Sequence, residues 1–130
     1  MISFEVHGTP VPQGSMKVIN GHVIHAKGSA LAAWRSQIAW AAREAGARPS
    51  IEPIDIDMVF TMLRPKTVTR PEPSVAPDLD KLVRGVLDAL TAVLYRDDSQ
   101  VTSLRAQKIY GERPGVWIQA RTRAAMTSQP

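Results

Sequence analysis

Four aspartates flank one apolar segment of this 130-residue sequence, and they are the residues best suited to chemistry. Asp78 and Asp80 stand at its start, and Asp97 and Asp98 follow its far end. Mg²⁺ and Mn²⁺ prefer oxygen ligands, commonly two or three carboxylates together with water and substrate phosphates. The sequence has no cysteine and only three scattered histidines, which argues against a zinc site. The four acids therefore indicate a site for Mg²⁺ or Mn²⁺.

A structural role for these acids is the alternative. Asp78 is a good N-cap, and Asp80 in the first turn complements the helix dipole. Asp80, Arg84 and Asp88 are spaced four residues apart, which is the spacing of surface ion pairs on a helix. Each acid taken singly fits this interpretation better, whereas four acids around one apolar helix leave both interpretations open.

The elements that would position the acids follow from the periodicity of the apolar residues. Apolar alternation predicts strands at Ile2–Val6, Ile54–Met62, Val101–Tyr110 and Val116–Ala120, and Asn20-Gly21 predicts a hairpin turn between Val18 and Ile24. Helical spacing predicts one helix from about Ser29 to Gly46 and a second from Asp78 to Leu94. Four prolines between Arg64 and Pro77 predict an exposed, mobile loop. The order predicts a single α+β domain over residues 1–130, a sheet packed with two main helices, with a frayed tail from about residue 121.

Composition and charge narrow the function classes. Basic residues outnumber acidic ones by 16 to 12, but residues 71–100 carry a net charge of −3 between basic flanks. Basic flanking segments are suited to binding a polyanion such as DNA, and acidic residues between them could bind a cation that acts on the DNA phosphates. The alternative is that the acidic and basic side chains form ordinary ion pairs on solvated surfaces. No apolar run approaches the ~18–20 residues of a membrane span. The sequence also lacks a glycine-rich phosphate-binding loop, so we expect no nucleotide cofactor.

Two segments resemble a known family. The stretch from Pro77 to Leu90 (PDLDKLVRGVLDAL), followed by Asp97 to Val101 (DDSQV), resembles the RusA-like Holliday-junction resolvases, small homodimeric endodeoxyribonucleases of bacteria and their phages. Gly8 to Ser15 (GTPVPQGS) resembles the opening loop of that family, and the resemblance spans about residues 3–120. It implies a RusA-like homodimer and a metal-dependent, structure-specific nuclease of the bacterial cytoplasm, encoded by the host or a phage. Such an enzyme resolves four-way DNA junctions by paired nicking in recombination and repair.

The resemblance also implies residue roles. The catalytic acids of the family match Asp78, Asp80 and Asp98, which would bind Mg²⁺ or Mn²⁺, with Asp97 a weaker candidate. At two positions the sequence departs from the pattern, because the family's asparagine is Lys81 and its active-site lysine is Arg84. Arginine can neutralise a phosphate, often as a bidentate donor, but it stays protonated and cannot act as a general acid or base at neutral pH.

Basic residues near these motifs are the candidates for DNA contacts, although simple solvation is the alternative for each. They are Lys17, Lys81 and Lys108, together with Arg64, Lys66 and Arg70 of the proline-rich loop. Lys108 matches a position where the family often has a lysine.

Helix length raises a question about the acids. A helix from Asp78 to Leu94 is roughly 25 Å long, which places Asp80 and Asp98 at opposite ends. One solution is a two-fold dimer with antiparallel helices crossing at Gly85, so that the acids of two subunits meet. The other is a chain that turns back within one subunit. Two further functions stay open, a catalytically weak or inactive junction-binding protein and a nuclease for other branched DNA.

Overall fold

The polypeptide forms six strands and two helices in a computed structural model that describes residues 1–14, 16–19, 22–25 and 28–123. In chain order the elements are β1 (Ile2–His7), β2 (Met16–Ile19), β3 (His22–His25), α1 (Gly28–Glu44), β4 (Ile54–Leu63), α2 (Leu79–Leu90), a short 3₁₀ helix (Asp98–Gln100), β5 (Val101–Gly111) and β6 (Gly115–Thr122). This order confirms the α+β prediction. The turn Asn20-Gly21 lies outside the described residues, although β2 and β3 pair antiparallel as a hairpin requires.

The main sheet has four strands in the order β1-β6-β4-β5. β4 and β5 are parallel, whereas β1–β6 and β4–β6 are antiparallel. Parallel neighbours need a long crossover, and here the crossover contains α2. The proline-rich loop leads from β4 into α2, and the 3₁₀ helix leads from α2 into β5. Asp78 therefore lies at the end of the first connection and Asp80 in the first turn of α2, whereas Asp97 and Asp98 lie in the second connection.

Both helices contribute apolar residues to one core. α1 buries Leu31, Trp34 and Ile38 at helical spacing. On α2 the buried set consists of Leu82, Val83, Gly85, Val86, Ala89 and Leu90. Trp34, Ile38 and the buried α2 residues other than Gly85 join alternating residues of β4 and β6, among them Ile56, Met58, Phe60 and Ile118, in one core cluster. Burial of this stripe fixes α2 on the sheet and leaves its polar side facing outward.

The second helix is shorter than the apolar pattern predicts. It ends at Leu90 rather than Leu94, and Ala92 adopts a left-handed backbone conformation with φ of 68°. Val93 and Leu94 are nevertheless buried in the core. The prediction was wrong here because a turn buries these side chains as well as another helical turn would.

The C-terminal part of the chain is ordered further than the sequence indicates. β6 continues to Thr122, and the backbone N–H of Arg123 donates to the carbonyl of Pro53. The remainder of the predicted frayed tail, residues 124–130, lies outside the described residues. Within the described ranges, no helix has both the length and the apolar character needed to cross a membrane.

Candidate active site

Asp78 and Asp80 lie together at the start of α2. Asp78 occupies the N-cap position, but its carboxylate makes no capping hydrogen bond, and its side chain is 60% exposed. Lys81 Nζ lies 3.7 Å from the Asp78 carboxylate, and Asp80 is exposed in the first turn. Capping therefore does not explain the Asp78 carboxylate. Two exposed carboxylates with free lone pairs form the donor set that Mg²⁺ prefers.

The polar side of α2 does not carry the ion pairs that spacing alone suggests. Asp88 pairs with Arg35 of α1, whose Nη2 lies 3.1 Å from Asp88 Oδ2. Arg35 also donates to the side-chain oxygen of Gln13 in the opening loop. Among the described residues Arg84 forms no ion pair and its side chain is exposed, so its guanidinium is open to solvent beside the acids.

The opening loop, residues 8–14, packs along the first half of α2. The backbone N–H of Gln13 donates to the carbonyl of Lys81 over 3.0 Å. A Cβ placed on Gly85 would meet the Val11 carbonyl at 3.4 Å, and a Cβ on Gly14 would meet Arg84 Nη1 at 3.8 Å. The close approach at Gly85 is therefore made by the opening loop of the same chain. The prediction that Gly85 serves a crossing of helices between subunits is wrong, because Val11 occupies that position.

The residues between β4 and α2 form a strap, defined here as residues 65–77, that lies against β5. Lys108 Nζ donates to the carbonyls of Val75 and Pro77, over 2.7 and 2.8 Å. Next along the strand, the Tyr110 hydroxyl accepts a hydrogen bond of 2.8 Å from Arg70, and the guanidinium of Arg64 lies 4.8 Å from the centre of the Tyr110 ring. The strap is exposed over much of its length, as predicted, but it is held at several points.

The second acidic pair lies in a fixed turn. The side-chain oxygen of Gln100 accepts from the backbone N–H groups of Arg96 and Asp97, and its amide donates to the carbonyls of Ser50 and Glu52. This arrangement ties the turn to the segment that precedes β4.

The two acids of this turn differ in their surroundings. The carboxylate of Asp97 accepts a hydrogen bond from the Ser99 hydroxyl, which gives it a structural role. Asp98 opens the 3₁₀ helix with an exposed side chain, so it is the better placed of the pair to act as a ligand.

Tyr95 connects this turn to the end of α2. Its buried hydroxyl donates to the carbonyl of Leu87 over 2.6 Å, and the Thr91 hydroxyl donates to the same carbonyl. Burial, and after it the negative charge of Asp98, raises the pKa of Tyr95 above its ordinary value of 10.0. The phenol therefore stays protonated as a donor and holds the chain that continues to Asp98.

The two acidic pairs are far apart within one chain. From Asp80, in its first turn, α2 continues to Leu90, which is about 15 Å of helix. The length of β5 gives a second measure of this separation. Asp98 lies just before Val101, the first residue of β5, whereas Lys108, seven residues after Val101, binds the Pro77 carbonyl next to Asp78. Seven residues of strand span about 23 Å. Across the part of the chain that the structure describes, no three or more acidic, histidine or cysteine side chains lie close enough together to hold a metal ion.

Comparison with known proteins decides the family. The model of the family described as endodeoxyribonuclease RusA matches residues 7–121. The chain belongs to the RusA endodeoxyribonuclease family. The match confirms the resemblance and indicates an endodeoxyribonuclease, a hydrolase of DNA phosphodiester bonds. A relative, the uncharacterized protein YqaN of Bacillus subtilis (strain 168), is 33% identical over 136 residues and aligns with 92% of this chain and 95% of its own length.

In this RusA-family chain, the predicted DNA-binding residues fall into three groups. Lys66 is exposed, and Lys81 lies beside Asp78. Arg70 and Lys108 make the contacts between the strap and β5 described above, and Arg64, just before the strap, lies over the Tyr110 ring. Lys17 lies in β2, and its side chain is outside what the structure describes.

Sequence reasoning missed several residues that position the RusA-family acids. These are Gln13, Arg35, Tyr95 and Gln100. Only Gln100 carries a recognisable signal, because it follows Asp97 by three residues, the spacing of a capping box. The partners of Gln13 and Arg35 are far away in the sequence, and the Tyr95 hydroxyl bonds a backbone carbonyl eight positions earlier, which no side-chain pattern records.

Proposed function

We propose that this protein is a Mg²⁺-dependent endodeoxyribonuclease that resolves four-way DNA junctions by paired nicking, with Mn²⁺ as an alternative cation. The observation that carries the proposal is the RusA match over residues 7–121, which includes the exposed and uncapped Asp78 and its neighbour Asp80. The protein would act as a homodimer in recombination and repair, in the cytoplasm of a bacterium, and would need no nucleotide cofactor.

Asp78, Asp80 and Asp98 are the proposed cation ligands. A bound divalent cation would activate water and offset the charge that develops on the scissile phosphate. The N-terminus of α2, which is the positive end of the helix dipole, lies beside Asp78 and Asp80. Their exposure, and the absence of a side-chain cap on Asp78, leave the carboxylate oxygens available for this role.

The separation of the acids supports a site shared between two subunits. About 15 Å of helix, from Asp80 to Leu90, lies between Asp80 and Asp98 of one chain, which is too far for both to reach one cation at ligand distances of about 2 Å. In a two-fold dimer, Asp98 of one subunit can approach Asp78 and Asp80 of the other. Such a dimer has two equivalent sites, and paired nicking of two strands needs two sites.

Arg84 and Lys81 are the proposed contacts to the reacting phosphate. Arg84 lies one helical turn after Asp80, its guanidinium is exposed, and the opening loop passes beside it. A guanidinium offers two parallel donors to a phosphate. Arg84 can therefore replace the lysine of the family pattern in binding the phosphate, but not in transferring a proton. Lys81 lies close enough to Asp78 to hold both the carboxylate and a phosphate nearby.

The remaining basic residues would hold the arms of the junction. Lys66 is exposed on the strap, Lys17 lies in the hairpin, and Arg64 and Arg70 place positive charge next to Tyr110. Contacts of this kind with the DNA backbone give affinity that falls steeply with salt.

Comparison of substrates tests the proposal. The purified protein is incubated in the presence of Mg²⁺ with one DNA substrate at a time. The substrates are a synthetic four-way junction, a flap and a linear duplex of matched sequence. We expect paired nicks in the junction and little cleavage of the duplex. Preferred cleavage of the flap would mean a nuclease for other branched DNA, and tight binding of the junction without cleavage under Mg²⁺ or Mn²⁺ would mean a binding protein.

A further inference from the structure

Lys108 is a partly buried lysine whose ammonium group is already occupied. It lies on the side of β5 that faces the helices, in register with Phe60 of β4. Two of its three N–H donors are directed at backbone carbonyls of the strap, those of Val75 and Pro77. Hydrogen bonds from a charged donor are stronger than those between neutral groups, so the pair of contacts favours one position of the ammonium group.

The strap has few other means of holding its shape. Four of its thirteen residues are prolines, which have no N–H to donate. Within the strap, the structure gives two backbone hydrogen bonds, Val68 to Pro65 and Ser74 to Glu72. The last residues before α2 therefore depend on contacts with β5, and Lys108 supplies those nearest to the acids.

The Pro77 carbonyl belongs to the peptide unit that also contains the nitrogen of Asp78. Because that unit is planar, fixing the carbonyl oxygen also fixes the direction in which the chain enters α2. Asp78 has an extended backbone with φ of −67° and ψ of 138°, and its side chain has no capping bond to hold it. Lys108 thus acts one peptide unit away from a carboxylate whose side chain is held by the exposed 3.7 Å ion pair with Lys81.

We propose that Lys108 is a positioning residue: its ammonium group fixes the Val75 and Pro77 carbonyls and thereby holds Asp78 where a divalent cation can use it. The inference deepens the proposed function and rests on it for the identity of the ligand. It gives Lys108 a role different from direct contact with DNA. Mutation of a residue that orients a metal ligand commonly lowers the metal affinity by 10–100-fold.

Lys108→Met is the variant that removes the ammonium group while keeping most of the side-chain stem. Lys66→Met, on the exposed part of the same strap, is the matched control because it removes the same charge without touching these carbonyls. Lys108→Arg serves as the conservative variant, since a guanidinium can still donate to two carbonyls. Circular dichroism establishes that each variant is folded.

Three measurements distinguish the roles. Calorimetric titration with Mn²⁺ alone, in the absence of DNA, should show affinity about tenfold weaker for Lys108→Met, unchanged for Lys66→Met and largely restored by Lys108→Arg. Hydrogen exchange should become faster in the strap of Lys108→Met only. Binding of a four-way junction without divalent cations should keep its affinity and salt dependence in Lys108→Met, whereas Lys66→Met should lower the slope of the salt dependence by about one.

Other results would overturn the inference. A loss of junction affinity and of salt dependence in Lys108→Met would make Lys108 a phosphate contact. Unchanged Mn²⁺ affinity together with unchanged exchange in the strap would show that Lys108 does not hold Asp78. If no Mn²⁺ binding is detected in the wild-type protein, the proposed function itself fails, and the exchange data still report whether Lys108 holds the strap.

Amine labelling of the wild-type protein gives a test that does not depend on any variant. We expect Lys108 to be methylated at least tenfold more slowly than Lys66, both with and without junction DNA. Rapid labelling of Lys108 that junction DNA suppresses would contradict the proposed role.

Discussion

Asp78 and Asp98 lie at opposite ends of α2 in a single chain. Asp78 precedes the first residue of the helix, and Asp98 follows its last residue by eight positions. β5 shows the same separation. The strand starts just after Asp98, and Lys108, near its far end, contacts Pro77, the residue before Asp78. The proposed cation site, which uses both acids, would therefore draw them from two chains.

Mixing two inactive variants tests whether the site is shared. Asp78→Asn and Asp98→Asn are each expected to be inactive as homodimers. In a mixed dimer, a shared arrangement puts both defects in one site and leaves the other intact, so we expect about a quarter of the wild-type nicking after equal mixing and subunit exchange. The measurement is single-strand nicking of a four-way junction in Mg²⁺, with simple sums of the unmixed variants as the control. No gain on mixing would mean that each chain contains a complete site.

Arg84 is predicted to stabilise the phosphate rather than to transfer a proton. Replacing it with methionine should lower the cleavage rate at saturating DNA and Mg²⁺ by roughly 100-fold, as for loss of one positioned donor to a developing negative charge. Arg84→Lys should keep most of the activity, because a lysine stands at this position in the family pattern. Single-turnover cleavage measures the rate, and a new dependence on pH in Arg84→Lys alone would be expected if the lysine also exchanges a proton.

Asp55 gives a prediction about stability in acid. Burial by itself would raise the pKa of Asp55, but hydrogen bonds from Arg121 and Ser103, with the charges of Arg121 and Arg123, lower it below 3.8. The folded state therefore favours the carboxylate, and its stabilising contribution is complete above about pH 4 and is lost as the pH falls through the lowered pKa.

Asp55→Asn tests this directly. We expect it to cost about 2 kcal/mol of unfolding free energy at pH 7, since it removes a charged hydrogen-bond acceptor from its partners. The difference from wild type should shrink as the pH falls below 3.8 and through the lowered pKa, because the wild-type carboxylate is then progressively protonated. Urea unfolding across this pH range is the measurement, and Asp57→Asn, two residues along the same strand, is the matched control. An equal loss at all pH values would contradict the assigned role of the charge.

The sequence was sufficient to predict the elements, because strand alternation and helical spacing are local properties. β4 and the start of α2 were correctly predicted for this reason. The end of α2 was not, since Val93 and Leu94 continue an apolar pattern that a turn satisfies equally well.

Contacts between distant residues were beyond the reach of the sequence. Lys108 and Pro77 are 31 positions apart, and Val11, which packs against Gly85, precedes it by 74 positions. No periodicity records such pairs, so the strap appeared mobile and Gly85 appeared free for another subunit. The acids themselves were recognisable because they lie in two short sequence motifs. The distance between the two motifs in the folded chain follows only from the structure of α2 and β5.

The most direct test of the account is the Asp80→Asn variant on a synthetic four-way junction. Asp80 is exposed in the first turn of α2, so the substitution should leave the fold intact. We predict that cleavage in Mg²⁺ is abolished while junction affinity, measured without divalent cations, stays within about twofold of wild type, because phosphate contacts rather than this acid supply the affinity. Loss of both binding and cleavage would show that Asp80 is structural, and wild-type cleavage rates in Asp80→Asn would contradict the proposed active site.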